Sequence, residues 1–325
     1  MVDILQLATA NLVSPVILCF ALGLVAALAR SDLSVPEAAA KALSIYLLFA
    51  IGFKGGVSVA GYGLDGTLIL TLLLGIALSA VLPLIAFYLL QVLSGLDRLN
   101  AAAVAGHYGS ISIVTFVAAT SVLEKYGIAS EGYMVAVAAI MEAPAILSAL
   151  WLVSRGSDSS ARMDATLWRE ILLNGSIVLL VGSFLIGMAT GEDGLKEIES
   201  FIVSPFKGVL CLFMLDMGLL AGRSLAKSRK SISIGLLAFG VLMPLIGASI
   251  ALPLGFALGL SSGGTVLLMV LSASASYIAV PAAMRVALPE ADPGVYLTLS
   301  LGVTFPFNLT LGIPLYVAAA NFLFS

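Results

Sequence analysis

Apolar residues run through this chain in long stretches. They are parted by short polar breaks such as RSDLSVPE from Arg30, SGLDRLN from Ser94, TGEDGLKEIES from Thr190 and GRSLAKSRKS from Gly222. A helix that crosses a bilayer needs about 20 mainly apolar residues. Ten segments reach or approach that length, centred near residues 20, 46, 78, 112, 142, 178, 212, 244, 276 and 308. The pattern predicts an all-α membrane protein with ten transmembrane helices. The first apolar stretch follows Asp3 with no basic n-region and no small-residue cleavage site, so it reads as the first span and not as a removed signal peptide.

Composition fixes the solvent. Of the 325 residues 61% are hydrophobic and 10% charged, and the mean hydropathy is +1.14. A soluble domain carries roughly 25% charged residues, so this chain is built for a bilayer. A net charge of −3 without a long basic run argues against nucleic acid as a partner. Cys19 and Cys211 both fall in apolar spans and read as packing residues. Lys and Arg orient the spans. Of the 15, all but Lys54, Lys125, Lys196 and Lys207 lie in or beside odd-numbered loops. Those loops are expected in the cytoplasm and both termini outside it, in a bacterial inner membrane.

A shift of 164 residues brings the halves into register. LFAIGFKGGVSVA from Leu48 lies over LFMLDMGLLAGRS from Leu212, and Ser110 and Ser112 lie over Ser274 and Ser276. EKYGIASEGYM from Glu124 lies near LPEADPGVYL from Leu288, one residue out of step. Each half holds five spans. Five is odd, so the second half enters from the opposite side. The expected architecture is a 5+5 inverted repeat, residues 1–157 and 158–325, as in many secondary transporters.

Two hydroxyl-rich spans fall at corresponding places. The fourth reads AAAVAGHYGSISIVTFVAAT from Ala101, and the ninth reads LSASASYIAVPAAMRVALP from Leu271. Gly106 and Gly109 flank His107 in one. Pro281 follows the serines in the other, and its missing N–H and ring clash favour a break about four residues earlier. Strict Ser-Ala alternation has period two, the signal of an extended segment. Such a segment exists at membrane depth only where it lines a protein cavity. Both helices are therefore expected to be broken. A break exposes N–H groups at the new helix start, where the macrodipole favours an anion by up to roughly 2 kcal/mol. Two such ends facing each other would form an anion site without Arg or Lys, the hydroxyls adding donors or, for a cation, hard oxygens. The alternative is structural, since small residues let transmembrane helices pack closely and serine bonds its own i−4 carbonyl.

Glu142, in AIMEAPAIL, and Asp216, in LFMLDMGLL, fall inside spans. A carboxylate at the bilayer centre costs roughly 3 kcal/mol on insertion scales and usually marks function. Glu142 is a sodium ligand, a proton carrier or a partner for a neighbouring helix; Asp216 has the further option of an ion pair with Arg223. Lys54 reads as the snorkelling end of span two or as part of an anion path. His107, the single histidine, is a site-facing donor or a packing residue. The tenth span, GVTFPFNLTLGIPLY, sets Thr304, Asn308 and Thr310 around Pro306, opposite span five in the repeat. Neutral oxygens with one carboxylate suit a hard monovalent cation. No His/Cys cluster suggests a transition metal.

The 46-residue run LSASASYIAVPAAMRVALPEADPGVYLTLSLGVTFPFNLTLGIPLY from Leu271 closely resembles the C-terminal segment of the sodium-dependent bicarbonate transporters of the SbtA type. The resemblance extends through the ten spans; GHYGSIS departs from the family's pattern in carrying a histidine. It implies a core of spans three to five and eight to ten moving against a gate of spans one, two, six and seven. It also implies a homotrimer and, as in cyanobacterial members, a PII-like regulator on the cytoplasmic face. The basic loop after span five and RSLAKSRK are where such a partner would dock.

On that footing the chain is expected to be no enzyme and to need no cofactor beyond sodium as coupling ion. It would be a secondary active symporter importing bicarbonate with sodium by alternating access. Ser110, Ser112, Ser272, Ser274 and Ser276, with Gly109, Tyr277 and adjacent amides, are assigned to bicarbonate. Glu142, Thr304, Asn308 and Thr115 are assigned to sodium. A monoanion entering a negative interior works against roughly 2.3 kcal/mol per 100 mV, which one sodium ion cancels. The rival readings are a sodium-coupled carrier of another small anion, a sodium/proton antiporter, a passive channel, and an intramembrane hydrolase using Ser110 with His107. The last lacks a third group to orient its base.

Overall fold

The computed structural model of the protein describes residues 13–62, 66–154, 173, 175–228, 233–277, 280–281, 284, 288 and 290–324, and these are mostly helical with no strand among them. The boundary between the two expected halves, residues 155–172 of the basic loop after span five, and Arg229 and Lys230 of RSLAKSRK lie outside the described residues.

Among the described residues eight helical segments are long and apolar enough to cross a membrane, where ten were expected of the chain. They include α2 (Glu37–Tyr62), α3 (Gly66–Leu93), α8 (Gly175–Ile202), α9 (Phe206–Ser228) and α10 (Ile234–Ala257). Two more are composite, α4 (Arg98–Gly109) with α5 (Ile113–Lys125), and α6 (Met134–Ile140) with α7 (Glu142–Ser154). The eighth is α12 (Pro293–Phe324). The first and ninth expected spans appear as shorter apolar helices, α1 (Pro15–Leu28) and α11 (Ser262–Ala273). Ser14, Ser112, Ser233 and Ser261 each cap a helix start through the side-chain oxygen.

The break expected at TGEDGLKEIES falls at a single non-helical residue, and helix resumes directly after it. Gly191, at φ 60 and ψ −153, kinks α8, and the charged stretch beyond it continues as helix. Only glycine adopts that dihedral pair without strain. Past the kink Leu195 and Ile198 are partly buried and Ile202 fully so, which gives an apolar face at helical spacing. A charge-rich sequence signals a span end but does not forbid a helix.

The helices form two groups. In the first, α1 packs on α9 and α2 on α8. These crossings are closed by glycine. A Cβ on Gly23 would overlap the carbonyl oxygen of Leu215, and one on Gly218 that of Phe20. The second crossing repeats the first: a Cβ on Gly187 would overlap the carbonyl of Phe53, and one on Gly56 that of Phe184. Without a hydrophobic drive between helices in lipid, close backbone approach is what holds such pairs. In the second group α4 packs on α3 and α7, α10 on α3 and α11, and α11 on α5 and the end of α12.

Candidate functional site

The centre of the second group is where two interrupted helices meet. The matching half-helices α4 and α11 are each 12 residues long, and both their ends stand 164 positions apart (98 and 262, 109 and 273). After Gly109 the chain is extended at Ser110 (φ −87, ψ 175), and after Ala273 it is extended at Ser274 (φ −93, ψ 164). Gly109 and Gly247 allow the crossing to be this tight. A Cβ at Gly109 would collide with the Pro83 ring, and one at Gly247 with the Ser272 carbonyl.

The extended segments are bonded to each other. Ser112 N–H donates to Ser274 Oγ (2.9 Å), and Ser276 N–H donates to the His107 carbonyl (2.8 Å). Ser112 also caps α5, its Oγ accepting from Thr115 N–H (3.2 Å) and Thr115 Oγ1 (2.9 Å). Ser276 Oγ accepts from Val280 N–H (3.4 Å). Asn308 Nδ2 donates to the Ala273 carbonyl (2.8 Å), one of the carbonyls left open where α11 ends.

Against this bonded frame three hydroxyls stand out. Ser110 Oγ and Ser272 Oγ are buried and make no hydrogen bond, and Tyr277 Oη is buried beside the Ser112 side chain. Ser272 lies on the last turn of α11, where a packing serine would bond its i−4 carbonyl, and it does not. Leaving a buried hydroxyl unpaired costs about 1–3 kcal/mol; Ser121 and Thr265 carry that cost elsewhere, and Ser110 and Ser272 carry it on the two facing segments. The buried acidic residues among those described are Glu142 and Asp216; no described Lys or Arg is buried, though the Arg223 charge acts on Asp216. Any anion here meets only neutral dipoles, hydroxyls and the start of α5.

The residues expected to hold sodium come from three helices, Thr115 from α5, Glu142 from α7, and Thr304 and Asn308 from α12. Pro144 removes an N–H from the helix, and just before it Ser79 Oγ donates to the Met141 carbonyl. Glu142 follows, 7% exposed, with Oε2 lacking a partner. Ser79 also borders Gly109, which places this break beside the end of α4. Thr304 and Asn308 belong to α12, which packs on α4, α9, α10 and α11, and α7 packs on α3 and α4. Thr304 Oγ1 donates to the Gly240 carbonyl (2.6 Å) and lies 2.6 Å from Tyr108 Oη. Asn308 Oδ1 accepts from Tyr316 (2.9 Å). Thr310 bonds the Pro306 carbonyl within its own helix (2.8 Å). Around Pro306, α12 widens into two π-helical stretches, Thr298–Thr304 and Asn308–Gly312, a feature with no signal in the sequence beyond the proline.

Lys54 is not at a helix end. It lies inside α2, where Nζ pairs with Glu124 Oε1 (3.3 Å) at the end of α5 and stands 5.3 Å from the centre of the Phe206 ring. A cavity of about 180 Å³ opens there between the two helix groups, lined also by Phe116, Thr120 and Leu123. Among the described residues no group of three or more His, Cys, Asp or Glu could hold a metal ion.

The open hydroxyls give a direct check. Ser110→Ala and Ser272→Ala break no bond, so heat denaturation of either variant should match the parent within about 0.5 kcal/mol. Ser112→Ala removes a helix cap and should cost about 1 kcal/mol. Weaker anion binding in the first two, with stability unchanged, would separate site from scaffold.

No curated protein matches this chain. The family model of the Na+-dependent bicarbonate transporter superfamily matches residues 15–321, and with them both interrupted helices and the crossing. The chain belongs to the Na+-dependent bicarbonate transporter superfamily.

Proposed function

We propose that this protein is a secondary active symporter that imports bicarbonate together with sodium by alternating access. The observation that carries the reading is the pair of buried, unbonded hydroxyls of Ser110 and Ser272 at the crossing, with Tyr277 Oη buried beside Ser112. Bicarbonate offers three oxygens around one carbon, accepting from hydroxyls and amides and donating its own O–H to a serine oxygen. Ser112, Ser274, Ser276 and Gly109 supply the frame and its main-chain groups. Glu142, with its open Oε2, is the carboxylate we assign to sodium. Thr115, Thr304 and Asn308, the other oxygens expected there, hold the crossing in shape.

The proposed architecture is ten spans in a 5+5 inverted repeat. It is supported by the glycine crossings, in which the contacts of α1/α9 recur in α2/α8 at steps of 164 residues on one helix and 162 on the other, and by the equal half-helices α4 and α11. The group of α1, α2, α8 and α9 is the proposed gate and the remainder the proposed core. The homotrimer, the PII-like regulator, the inner-membrane setting and the outward termini go with this reading.

Coupling follows from charge. With no buried Lys or Arg at the crossing, a bound anion alone leaves a net charge at membrane depth. A sodium ion beside Glu142 returns the site toward neutrality and cancels about 2.3 kcal/mol per 100 mV of opposing potential. Labelled bicarbonate uptake into proteoliposomes should rise steeply with an inward sodium gradient. Equal uptake with and without that gradient would overturn the symport; competition by small carboxylates would name another anion.

A further inference from the structure

His107 holds both main-chain polar groups of a single residue across the crossing. Its own carbonyl accepts from Ser276 N–H at 2.8 Å, and its Nδ1 lies 2.5 Å from the Ser276 carbonyl oxygen. A carbonyl only accepts, so Nδ1 carries the proton. The ring is fully buried, stacks on Tyr296 with centroids 4.4 Å apart, and leaves Nε2 without a hydrogen bond. Ser276 sits in an extended stretch with no neighbouring strand. At this depth there is no water to take its N–H and C=O, and only internal partners remain. Residue 107 supplies both, as an opposed strand residue supplies both in an antiparallel ladder. The helix end that provides the carbonyl cannot provide a second donor from its main chain, and the imidazole fills that place.

Ser274 and Ser276 are two residues apart on the extended segment, so fixing the peptide of Ser276 also fixes where Ser274 Oγ meets Ser112 N–H. We propose that His107 is a positioning residue of the anion site. It acts as a side-chain substitute for a strand partner, clamping Ser276 so that the hydroxyls and amides of the second crossing segment face the first at fixed distance. The proposal rests on the anion-site reading for its effect on transport, but the clamp is measurable without it. His107 need not touch the anion, and no proton leaves the ring.

The geometry specifies which replacements preserve the clamp. Asn carries an amide nitrogen at the same bond count from Cα as Nδ1, whereas Leu fills similar space with no donor. In proteoliposomes His107→Leu should raise the KM for bicarbonate about tenfold or more, with a smaller change in maximal rate. His107→Asn should restore KM to within about threefold of the parent. Deuterium exchange of the peptide spanning residues 274–277, in detergent and without bicarbonate, should accelerate in the Leu variant and return toward parental protection in the Asn variant.

If Asn behaves as Leu in both assays, the donor is irrelevant and the proposal falls. Unchanged exchange and KM in the Leu variant also overturn it. If the parent carries no bicarbonate yet the exchange pattern holds, the clamp stands and the substrate reading fails. Should His107→Leu not fold, exchange of His107→Asn against His107→Gln decides. Gln sets its amide one bond too far, and equal protection in the two would count against the clamp.

Discussion

Gly56→Ala and Gly218→Ala should destabilise the protein by nearly equal amounts, although the residues lie in different helices and far apart in the sequence. A Cβ on Gly56 would overlap the carbonyl of Phe184 and stand 2.6 Å from the nitrogen of Met188. One on Gly218 would overlap the carbonyl of Phe20 and stand 2.8 Å from the nitrogen of Leu24. In each case the obstacle is main chain in the middle of a helix, which cannot rotate away as a side chain can. The helices must part, and overpacking of this kind costs about 1–3 kcal/mol or more. The methyl also forfeits the close approach that replaces the hydrophobic drive in lipid. Phe20 and Phe184, and Leu24 and Met188, stand 164 positions apart, the step that relates the serine pairs, while Gly56 and Gly218 stand 162 apart. The two substitutions therefore insert one methyl group at two crossings that the proposed repeat relates. Gly182→Ala is the control, since nothing lies within 4 Å of its added Cβ. It should be neutral or gain about 0.5–1 kcal/mol through helix propensity. Thermal denaturation of the three purified variants reads all of this. A large loss at Gly56 beside none at Gly218 would break the two-fold relation between the halves.

What sequence could reveal followed how locally each feature is encoded. The interruptions at Ser110–Ser112 and Ser274–Ser276 were legible because glycine, serine alternation and proline act on their own segment. The long apolar helices were legible for the same reason. Other features depend on partners distant in the chain. Thr304 and Asn308 look like cation oxygens in isolation; that they also bond Gly240, Tyr108, Ala273 and Tyr316 no local pattern announces. Lys54 looked like a span end because charge is costly in lipid; its pairing with Glu124 from α5 supplies the missing compensation. The helix beyond Gly191 was hidden because charge that ends a membrane span also makes a good surface helix. His107 had two open readings until the Ser276 carbonyl was found within reach of Nδ1.

Glu142→Gln should abolish the response to sodium while leaving the fold intact. The substitution keeps the shape of the side chain and removes its charge. Glu142 is buried beside the break before Pro144, and Oε2 has no partner to lose. In the absence of sodium the Gln variant should therefore be at least as stable as the parent, because a buried unpaired carboxylate is itself a burden. Sodium changes the comparison. A cation that binds only the folded protein stabilises it by about 2.7 kcal/mol at one hundred times its dissociation constant. The parent should show that rise in thermal stability on sodium titration, and the Gln variant should lose it. A cation at this depth without an opposing charge faces a penalty of several kcal/mol. Sodium-driven bicarbonate uptake should accordingly fall about a hundredfold. Asp216→Asn gives the contrast. Asp216 is also buried, but it lies on α9 among the glycine-closed helices, away from the crossing. Its variant should keep the sodium shift. An undiminished shift in Glu142→Gln would move the cation to another set of oxygens. It would leave the hydroxyl site untouched, because that site owes nothing to the carboxylate except the charge that lets an anion and a cation share the interior of a membrane.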